Sequence, residues 1–210
     1  MIKKGKKNAE VMEFTSFKKK ENVTDDELIQ AVIQFENSFL AHQKGILFHC
    51  LVRNFNNEYA NVLFADNMDT INNLFKEAEN NNSAKHFFSL IEDESVKITI
   101  HQIEKENFRV PAHFSCVEHG TFSLKENNSF ENLMNVSNTI EEEYLNKSEN
   151  TKAHFIGTVS DNLYSEITFG ETLGKTKETC FGYIENDFCK PLLEMADETT
   201  MKLDFWYLIA

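Results

Sequence analysis

The spacing of apolar and polar residues predicts one series of elements that occurs twice along the chain. In the first half, Thr24-Asp25-Asp26-Glu27 is a capping-box pattern, and the apolar residues after it recur on one face of a helix. A hairpin with an Asn-rich turn follows, and a second helix then begins near Met68. The predicted elements are strand, helix, strand, strand, helix and strand, over residues 10–18, 24–40, 45–53, 58–65, 68–79 and 95–103.

The second half repeats the first at a distance of 105 residues, without a gap. Ser129 stands where Thr24 opens the first helix. A repeat of this length is the size of a small domain, so we predict two copies of one fold. The predicted boundaries are a disordered basic N-terminus over 1–9, a first repeat over 10–105 and a second repeat over 106–210. Identical pairs at this spacing include Glu13 with Glu118, Leu28 with Leu133, Asn57 with Asn162, and Tyr59 with Tyr164.

A β-α-β-β-α-β series is the ferredoxin-like arrangement, a four-stranded antiparallel sheet with both helices on one face. The strands carry apolar residues on both faces, for example Leu47 and Phe48, so the face away from the helices is also expected to be covered. The segment from Glu104 to Arg109 is too short to let the halves separate. We therefore predict an α+β fold in which two ferredoxin-like repeats form an intramolecular pseudo-dimeric α+β barrel.

Acidic residues exceed basic residues by 34 to 21, which gives a formal net charge of −13. Such a chain repels phosphate backbones and anionic lipid surfaces, so neither nucleic acid nor a membrane is expected as a partner. The four cysteines lack C-x-x-C spacing and align with apolar or small residues of the other repeat. We expect buried free thiols, a cytoplasmic location, and either a monomeric pseudo-dimer or a homodimer.

His49 and His154 are the candidate catalytic residues, because a titratable side chain occurs at the same strand position of both repeats. An imidazole on an apolar sheet face can act as an acid or a base toward a phenolic substrate. It can equally be a buried histidine satisfied by hydrogen bonds, and both interpretations stay open. The candidate substrate-binding residues are Tyr59, Tyr164, Phe64 and Phe169.

The geometry of the first hairpin decides which of these side chains meet. Pairing that is symmetric about Asn56-Asn57 predicts His49 opposite Phe64 on one face of the sheet and Tyr59 on the other face. The tyrosines can orient a ligand through their hydroxyl groups or simply be amphipathic edge residues. No metal site is expected, since the remaining histidines have neither i, i+4 pairing on a helix nor carboxylates at metal spacing.

These patterns resemble the dimeric α+β barrel superfamily and, within it, the small antibiotic-biosynthesis-monooxygenase-like proteins. The resemblance covers nearly the whole chain from Val11 onward, once per repeat. Single-copy members form homodimers, and this chain resembles such a dimer fused into one polypeptide. The best-matching stretches are Phe39–Gly45, Tyr59–Phe64, Met68-Asp69 and His86–Ile91.

The resemblance implies a pocket between helices and sheet in each repeat. Some members use such a pocket for oxygen-dependent chemistry on aromatic substrates without a metal or flavin, and others bind or degrade haem. Here Pro191 stands at the position equivalent to His86, and the single tryptophan, Trp206, lies on the last strand, so no haem or other cofactor is expected. The implied function is binding of a small apolar or aromatic molecule, with monooxygenase-like activity. The alternative is a non-catalytic ligand-binding or structural pseudo-dimer, and fold alone does not choose between them.

Overall fold

The computed structural model describes residues 1–3 and 7–210, and the chain divides into two compact units. The first unit comprises Met1–Gln102, Asn107–Val110 and Leu208–Ala210. The second unit comprises Ile103–Glu106 and Pro111–Tyr207. Each unit follows one of the two predicted repeats for most of its length, and short segments near residue 105 and at the C-terminal end are exchanged between them.

The first unit has the predicted ferredoxin-like topology. Its elements are β1 (Ile2–Lys3), β2 (Val11–Phe17), α1 (Asp25–Ser38), β3 (Ile46–Arg53), β4 (Tyr59–Ala65), α2 (Met68–Ala78), α3 (Asn82–Ser89) and β5 (Lys97–Ile103). The strands pair in the order β1-β3-β4-β2-β5, and each of these pairs is antiparallel. Apart from the short β1, this is the strand order of a β-α-β-β-α-β sheet.

The second unit repeats this order. Its elements are β6 (Cys116–Phe122), α4 (Phe130–Glu143), β7 (Thr151–Ser160), β8 (Leu163–Gly170), α5 (Leu173–Phe181), α6 (Lys190–Met195) and β9 (Lys202–Leu208). The strands pair in the order β7-β8-β6-β9, all antiparallel. The repeat predicts a helix over 173–184, at the position of the first-half helix 68–79. Helix α5 is shorter, because the last turn of this segment tightens into a 3-10 turn over Gly182–Ile184.

The first helix of each unit begins at the predicted cap. The Thr24 side chain accepts a hydrogen bond from the Glu27 backbone N–H, and the Glu27 carboxylate accepts one from the Thr24 backbone N–H, so α1 has a complete capping box. Ser129 caps α4 by accepting a hydrogen bond from the Asn132 backbone N–H alone. The prediction of both helix starts is confirmed.

Each unit has its own apolar core between its helices and its sheet. In the first unit the core is rich in phenylalanine, and Phe35 of α1 stacks on Phe87 of α3 at a ring distance of 5.5 Å. In the second unit, Leu133 and Ile140 of α4 pack with Leu192 and Met195 of α6. The helices therefore lie on one face of each sheet, as predicted.

The register of the first hairpin differs by one residue from the prediction. Asn54 and Glu58 close a loop in which the Asn54 side chain accepts hydrogen bonds from the backbone N–H groups of Asn56 and Glu58. Asn57 adopts a positive φ of 60°, and its counterpart Asn162 has a φ of 52°. This side-chain cap centres the turn on Asn56 rather than between two residues.

Three described residues within the N-terminal segment 1–9 contact the first unit. Ile2 and Lys3 pair with β3, and Ala9 is buried and donates its backbone N–H to the Phe108 carbonyl. Residues 4–6 of the same predicted segment lie outside the described residues.

All four cysteines are free thiols, and Cys50, Cys116 and Cys189 are buried, as predicted. Cys180 on α5 is partly exposed.

Candidate functional site

A cavity of about 360 Å³ lies between the helices and the sheet of the first unit. Its inner wall is formed by strand residues, among them Glu13, His49 and Asn61, and its outer wall by α2 and α3. A volume of this size falls within the range of small-molecule sites. The apolar lining includes Phe35, Leu63, Leu74, Ala78, Phe88 and Ile91.

The floor of the cavity is polar because neighbouring strands place four polar side chains on one face. His49 of β3 pairs with Leu63 of β4, and Leu63 pairs with Glu13 of β2, so these residues form one row across the sheet. Asn61 and Thr15 occupy the next row on the same face. Thr15 donates a hydrogen bond to Glu13, and both side chains line the cavity.

His49 is fully buried, and both of its ring nitrogens have oxygen partners. Nδ1 lies 2.8 Å from Glu36 Oε1 on α1, and Nε2 lies 3.2 Å from Asn61 Oδ1. The ring also meets Phe35 edge to face at 6.1 Å. Side-chain oxygens on both sides therefore hold the imidazole ring in one orientation.

The two carboxyl groups beside His49 are shifted in opposite directions. Burial by itself would raise the pKa of Glu36, but hydrogen bonds and charge from His49 and from the Met1 amino group outweigh burial and lower that pKa. The Met1 amino group lies 2.7 Å from Glu36 Oε2. Burial raises the pKa of Glu13, and Thr15 and His49 oppose the shift only in part. The cavity thus combines an ionised partner for His49 with a carboxyl group that favours its protonated form.

Apolar side chains surround the cavity mouth. Phe75 of α2 and Phe88 of α3 are 38% and 43% exposed, and Ile98 of β5 is 56% exposed. Exposure of several large apolar residues around a concave site is typical of a surface that meets an apolar ligand.

The second unit buries an equivalent histidine among more charges. His154 Nε2 lies 3.1 Å from Glu166 Oε1, and Nδ1 lies 3.5 Å from Glu141 Oε2, an ion-pair distance. Lys105 Nζ donates to Glu141 Oε2 at 2.6 Å. Glu166 and Glu141 stand at the positions of Asn61 and Glu36, so a neutral amide in the first unit becomes a carboxylate in the second.

These charges produce large shifts in the second unit. Burial by itself would lower the pKa of His154, but the close contacts and charges of Glu141 and Glu166 outweigh burial and raise that pKa to about 9. The nearby His154, with further help from Lys105, lowers the pKa of Glu141 to about 2. Burial and the nearby charge of Glu166 raise the pKa of Glu118 to about 8. The cluster is a compact charge network rather than an open site.

A tyrosine occupies the space next to this network. Tyr183 is 5% exposed, and its hydroxyl donates to Glu166 Oε1 at 2.9 Å. Its position in the repeat is that of Ala78, which lines the cavity of the first unit. The same region of the fold is therefore open in the first unit and filled by a phenol ring in the second.

The predicted substrate-binding residues lie outside the cavity lining. Tyr59 lies on the same face as His49, contrary to the predicted register, but its hydroxyl donates to Asp25 Oδ1 at 2.7 Å near the start of α1. Tyr164 stacks on Phe130 at 5.7 Å in the equivalent place.

The phenylalanines face away from the histidines. Phe64 pairs with Phe48, one position from the row that holds His49, so its side chain projects to the opposite face of the sheet. It contacts the Phe108 ring at 5.8 Å. Phe169 pairs with Ala153, one position from His154, and contacts the Phe114 ring at 5.0 Å. The one-residue register change accounts for this difference from the prediction.

Three residues of the site are absent from the sequence-based candidates, namely Glu13, Glu36 and Asn61. Glu13 and Glu36 recur as Glu118 and Glu141 at the 105-residue spacing, which is the same signal that singled out the histidines. Asn61 has no such signal, because its counterpart is Glu166.

The residues present do not fit a haem. His86, the residue that the resemblance compares with a haem-ligating histidine, is exposed on α3 and lies outside the cavity lining. In the part of the chain that the structure describes, no three His, Cys, Asp or Glu side chains form a metal-binding group. Within residues 1–3 and 7–210, every helix falls short of the length and apolarity that a bilayer crossing requires.

No family model and no curated protein matches the chain. Among solved structures, a Fusobacterium nucleatum protein provisionally named a monooxygenase is similar, with a TM-score of 0.70, 12% identity, and coverage of 97% of this chain and 94% of that chain. An anthrone oxidase-like protein has a TM-score of 0.63 at 8% identity, with coverage of 98% and 93%. A heme-binding protein from Thermus thermophilus has a TM-score of 0.62 at 10% identity, with coverage of 96% and 92%.

These likenesses extend over nearly the whole chain, at identities that support the fold alone. They agree with the strand order and helix placement of both units. The chain has the fold of the dimeric α+β barrel proteins, with two ferredoxin-like β-α-β-β-α-β repeats in one polypeptide.

Proposed function

We propose that the chain binds a small aromatic molecule in the cavity of the first unit, and that His49 acts there as a general base in a monooxygenase-like reaction. The observation that carries the proposal is the meeting of an apolar cavity with a buried His49–Glu36 pair at its floor. Solved structures of the same fold that are named as monooxygenase-like or anthrone oxidase-like add support at the level of the fold.

The proton step follows from the partners of His49. With Glu36 holding Nδ1–H, the free electron pair of a neutral ring lies on Nε2, on the side of Asn61 and the cavity. Nε2 removes a proton from an activated CH₂ group of the substrate and then donates it to Asn61 Oδ1 in a hydrogen bond. Glu36 stabilises the imidazolium that results.

The apolar lining then favours oxidation of the substrate carbanion by O₂. In the overall reaction the CH₂ group becomes C=O, one oxygen atom stays in the product and the other leaves as water. Exclusion of bulk water by Phe35, Leu63 and Leu74 protects the carbanion from being reprotonated by solvent.

Oxygen uptake with anthrone tests the proposal. His49→Ala is expected to lower the rate by about a hundredfold or more, the usual contribution of a general base. His42→Ala is the matched control, because His42 is exposed in the same unit and should leave the rate unchanged.

The result also separates catalysis from binding. Saturable binding of anthrone without oxygen uptake in the unmutated protein contradicts the general-base role and supports the non-catalytic ligand-binding alternative. Absence of both binding and uptake, with anthrone and with hydroquinone, contradicts the site as a whole.

A further inference from the structure

The two units differ at the end of their second helix in a way that identifies a ligand class. Ala78 ends α2 and lines the open cavity. Tyr183 follows α5 at the equivalent position and is buried. The small residue leaves space that the large residue fills.

Tyr183 makes a specific set of contacts in the space that it fills. Its hydroxyl donates to Glu166 Oε1 at 2.9 Å, and the same oxygen lies 3.1 Å from His154 Nε2. Its ring meets the Tyr144 ring edge to face at 5.6 Å. The phenol is therefore held by an apolar contact at its ring and by one side-chain oxygen that also binds the histidine.

The first unit has the same arrangement without the phenol. Asn61 stands where Glu166 stands, and its Oδ1 lies 3.2 Å from His49 Nε2. Phe39 stands where Tyr144 stands, and it is buried against Phe35. Ala78, Asn61 and Phe35 line the cavity, so it offers a side-chain oxygen and an aromatic ring to a ligand.

We propose that the ligand of the first unit is a phenol, whose hydroxyl binds the Asn61 side chain beside His49 and whose ring lies over Ala78. Tyr183 is the covalently attached counterpart of this ligand in the second unit. The inference rests on the proposed function only in taking the cavity as the binding site, and it deepens that function by naming the recognised group.

The size of the cavity indicates a substituted phenol. A cavity of about 150 Å³ holds a benzene ring, and the present cavity encloses about 360 Å³. The remaining space leads to a mouth where Phe75 and Phe88 lie beside the charged Glu79, Lys85 and Asp93, and an apolar substituent there would contact the two rings. One such ligand is expected per chain, because Tyr183 fills the equivalent space of the second unit.

Titration calorimetry with three matched probes tests the ligand class. 4-Ethylphenol is expected to bind the unmutated protein with one ligand per chain and about tenfold more tightly than 4-ethylanisole or ethylbenzene, because only the phenol donates a hydrogen bond. Equal affinity for all three probes overturns the phenol inference and leaves the aromatic site intact. Failure of every probe, and of anthrone, contradicts the proposed function itself.

Two exchanges between the units test the role of Tyr183. Ala78→Tyr places the ring of the second unit into the first and is expected to abolish binding of 4-ethylphenol, whereas Ala41→Tyr at an exposed position of the same unit is expected to leave it unchanged. Unchanged binding by the Ala78→Tyr protein overturns the inference.

Tyr183→Ala is the reciprocal exchange and is expected to raise the stoichiometry from one to two 4-ethylphenol molecules per chain. A folded Tyr183→Ala protein that still binds one molecule overturns the view of Tyr183 as a ligand counterpart. If this variant does not fold, Ala78→Tyr and the three probes on the unmutated protein still decide the inference.

Discussion

The first and second units have the same strand order and the same buried histidine, but they surround that histidine differently. In the first unit His49 has one carboxylate partner and one amide partner at the floor of a cavity. In the second unit His154 lies between Glu166 and Glu141, and Tyr183 fills the adjacent space. The first arrangement leaves room for a ligand, whereas the second has a side chain in that place.

This difference shows how one sheet position can serve two purposes. A buried polar group is tolerated when it is hydrogen-bonded, and a buried charge when it is paired. In the second unit, the carboxylates of Glu141 and Glu166 lie at ion-pair distance from the buried His154. The first unit leaves Glu13 and Asn61 facing a cavity, where a ligand can complete their hydrogen bonds.

The largest predicted effect is the loss of stability when each histidine is removed. His154→Ala removes the charged partner of the buried Glu166 and one of the two partners of the half-buried Glu141, and it is expected to lower the free energy of unfolding by about 3–5 kcal/mol. His49→Ala leaves one ionised partner beside an existing cavity and is expected to cost about 1–3 kcal/mol. Urea unfolding at pH 7 measures both values. Equal losses would break the comparison between the two units.

A pH titration of stability sharpens the comparison. The folded state keeps a proton on His154 up to about pH 9, against an ordinary pKa of 6.5. It keeps a proton on Glu118 up to about pH 8, against an ordinary pKa of 4.5. Between pH 6.5 and 8 the folded state therefore holds between one and two more protons than the unfolded state, so stability falls as pH rises, by about 1.4 kcal/mol per pH unit for each extra proton.

Glu118→Gln tests the acidic part of this slope. The variant is expected to show about half the decrease in unfolding free energy between pH 6.5 and 8, because the substituted amide mimics the protonated carboxyl at every pH. Glu126→Gln, at an exposed position of the same unit, should keep the full slope. An unmutated protein whose stability stays constant over this range would contradict the charge network of the second unit.

The smallest predicted difference concerns the helix caps. Thr24→Ala removes the hydroxyl that accepts from the Glu27 backbone N–H and donates to the Glu27 carboxylate, and it is expected to cost about 1–2 kcal/mol. Ser129→Ala removes a single bond and is expected to cost about 0.5–1 kcal/mol. Thermal unfolding monitored by circular dichroism compares the two. A larger loss for Ser129→Ala would show that the cap contributes more than its hydrogen-bond count indicates.

Local sequence patterns predicted the elements and their order because those patterns record local requirements. Thr24 and Ser129 mark helix starts through hydrogen bonds within three residues of the cap. The sequence predicted a histidine at the same position of both sheets, and both side chains are buried. The repeat made these positions visible, because a histidine recurs at the same place in both copies, 105 residues apart.

The contents of the site depend on contacts that no local pattern contains. The hairpin register follows from the Asn54 side chain, which shifts the turn by one residue and moves Tyr59 to the face of His49. Glu36 lies next to Phe35 on the buried face of α1. A carboxylate at this position is accounted for by its contact with His49, which is 13 residues away in the sequence. Tyr183 lies in the 3-10 turn that follows the end of α5 at Phe181. Its hydrogen-bond partner Glu166 lies on β8, so no pattern within the helix indicates the contact.

The burial of the thiols has a practical consequence for spectroscopic labelling. Cys50, Cys116 and Cys189 are buried, and burial together with the charge of Glu118 raises the pKa of the partly exposed Cys180 thiol. Because the thiolate is the reactive form, all four native cysteines should react slowly with maleimide dyes at neutral pH. A cysteine introduced at the exposed hairpin tips, at Asn56 or at Asp161, would then take up a single dye and report on each unit separately, with the native cysteines left in place.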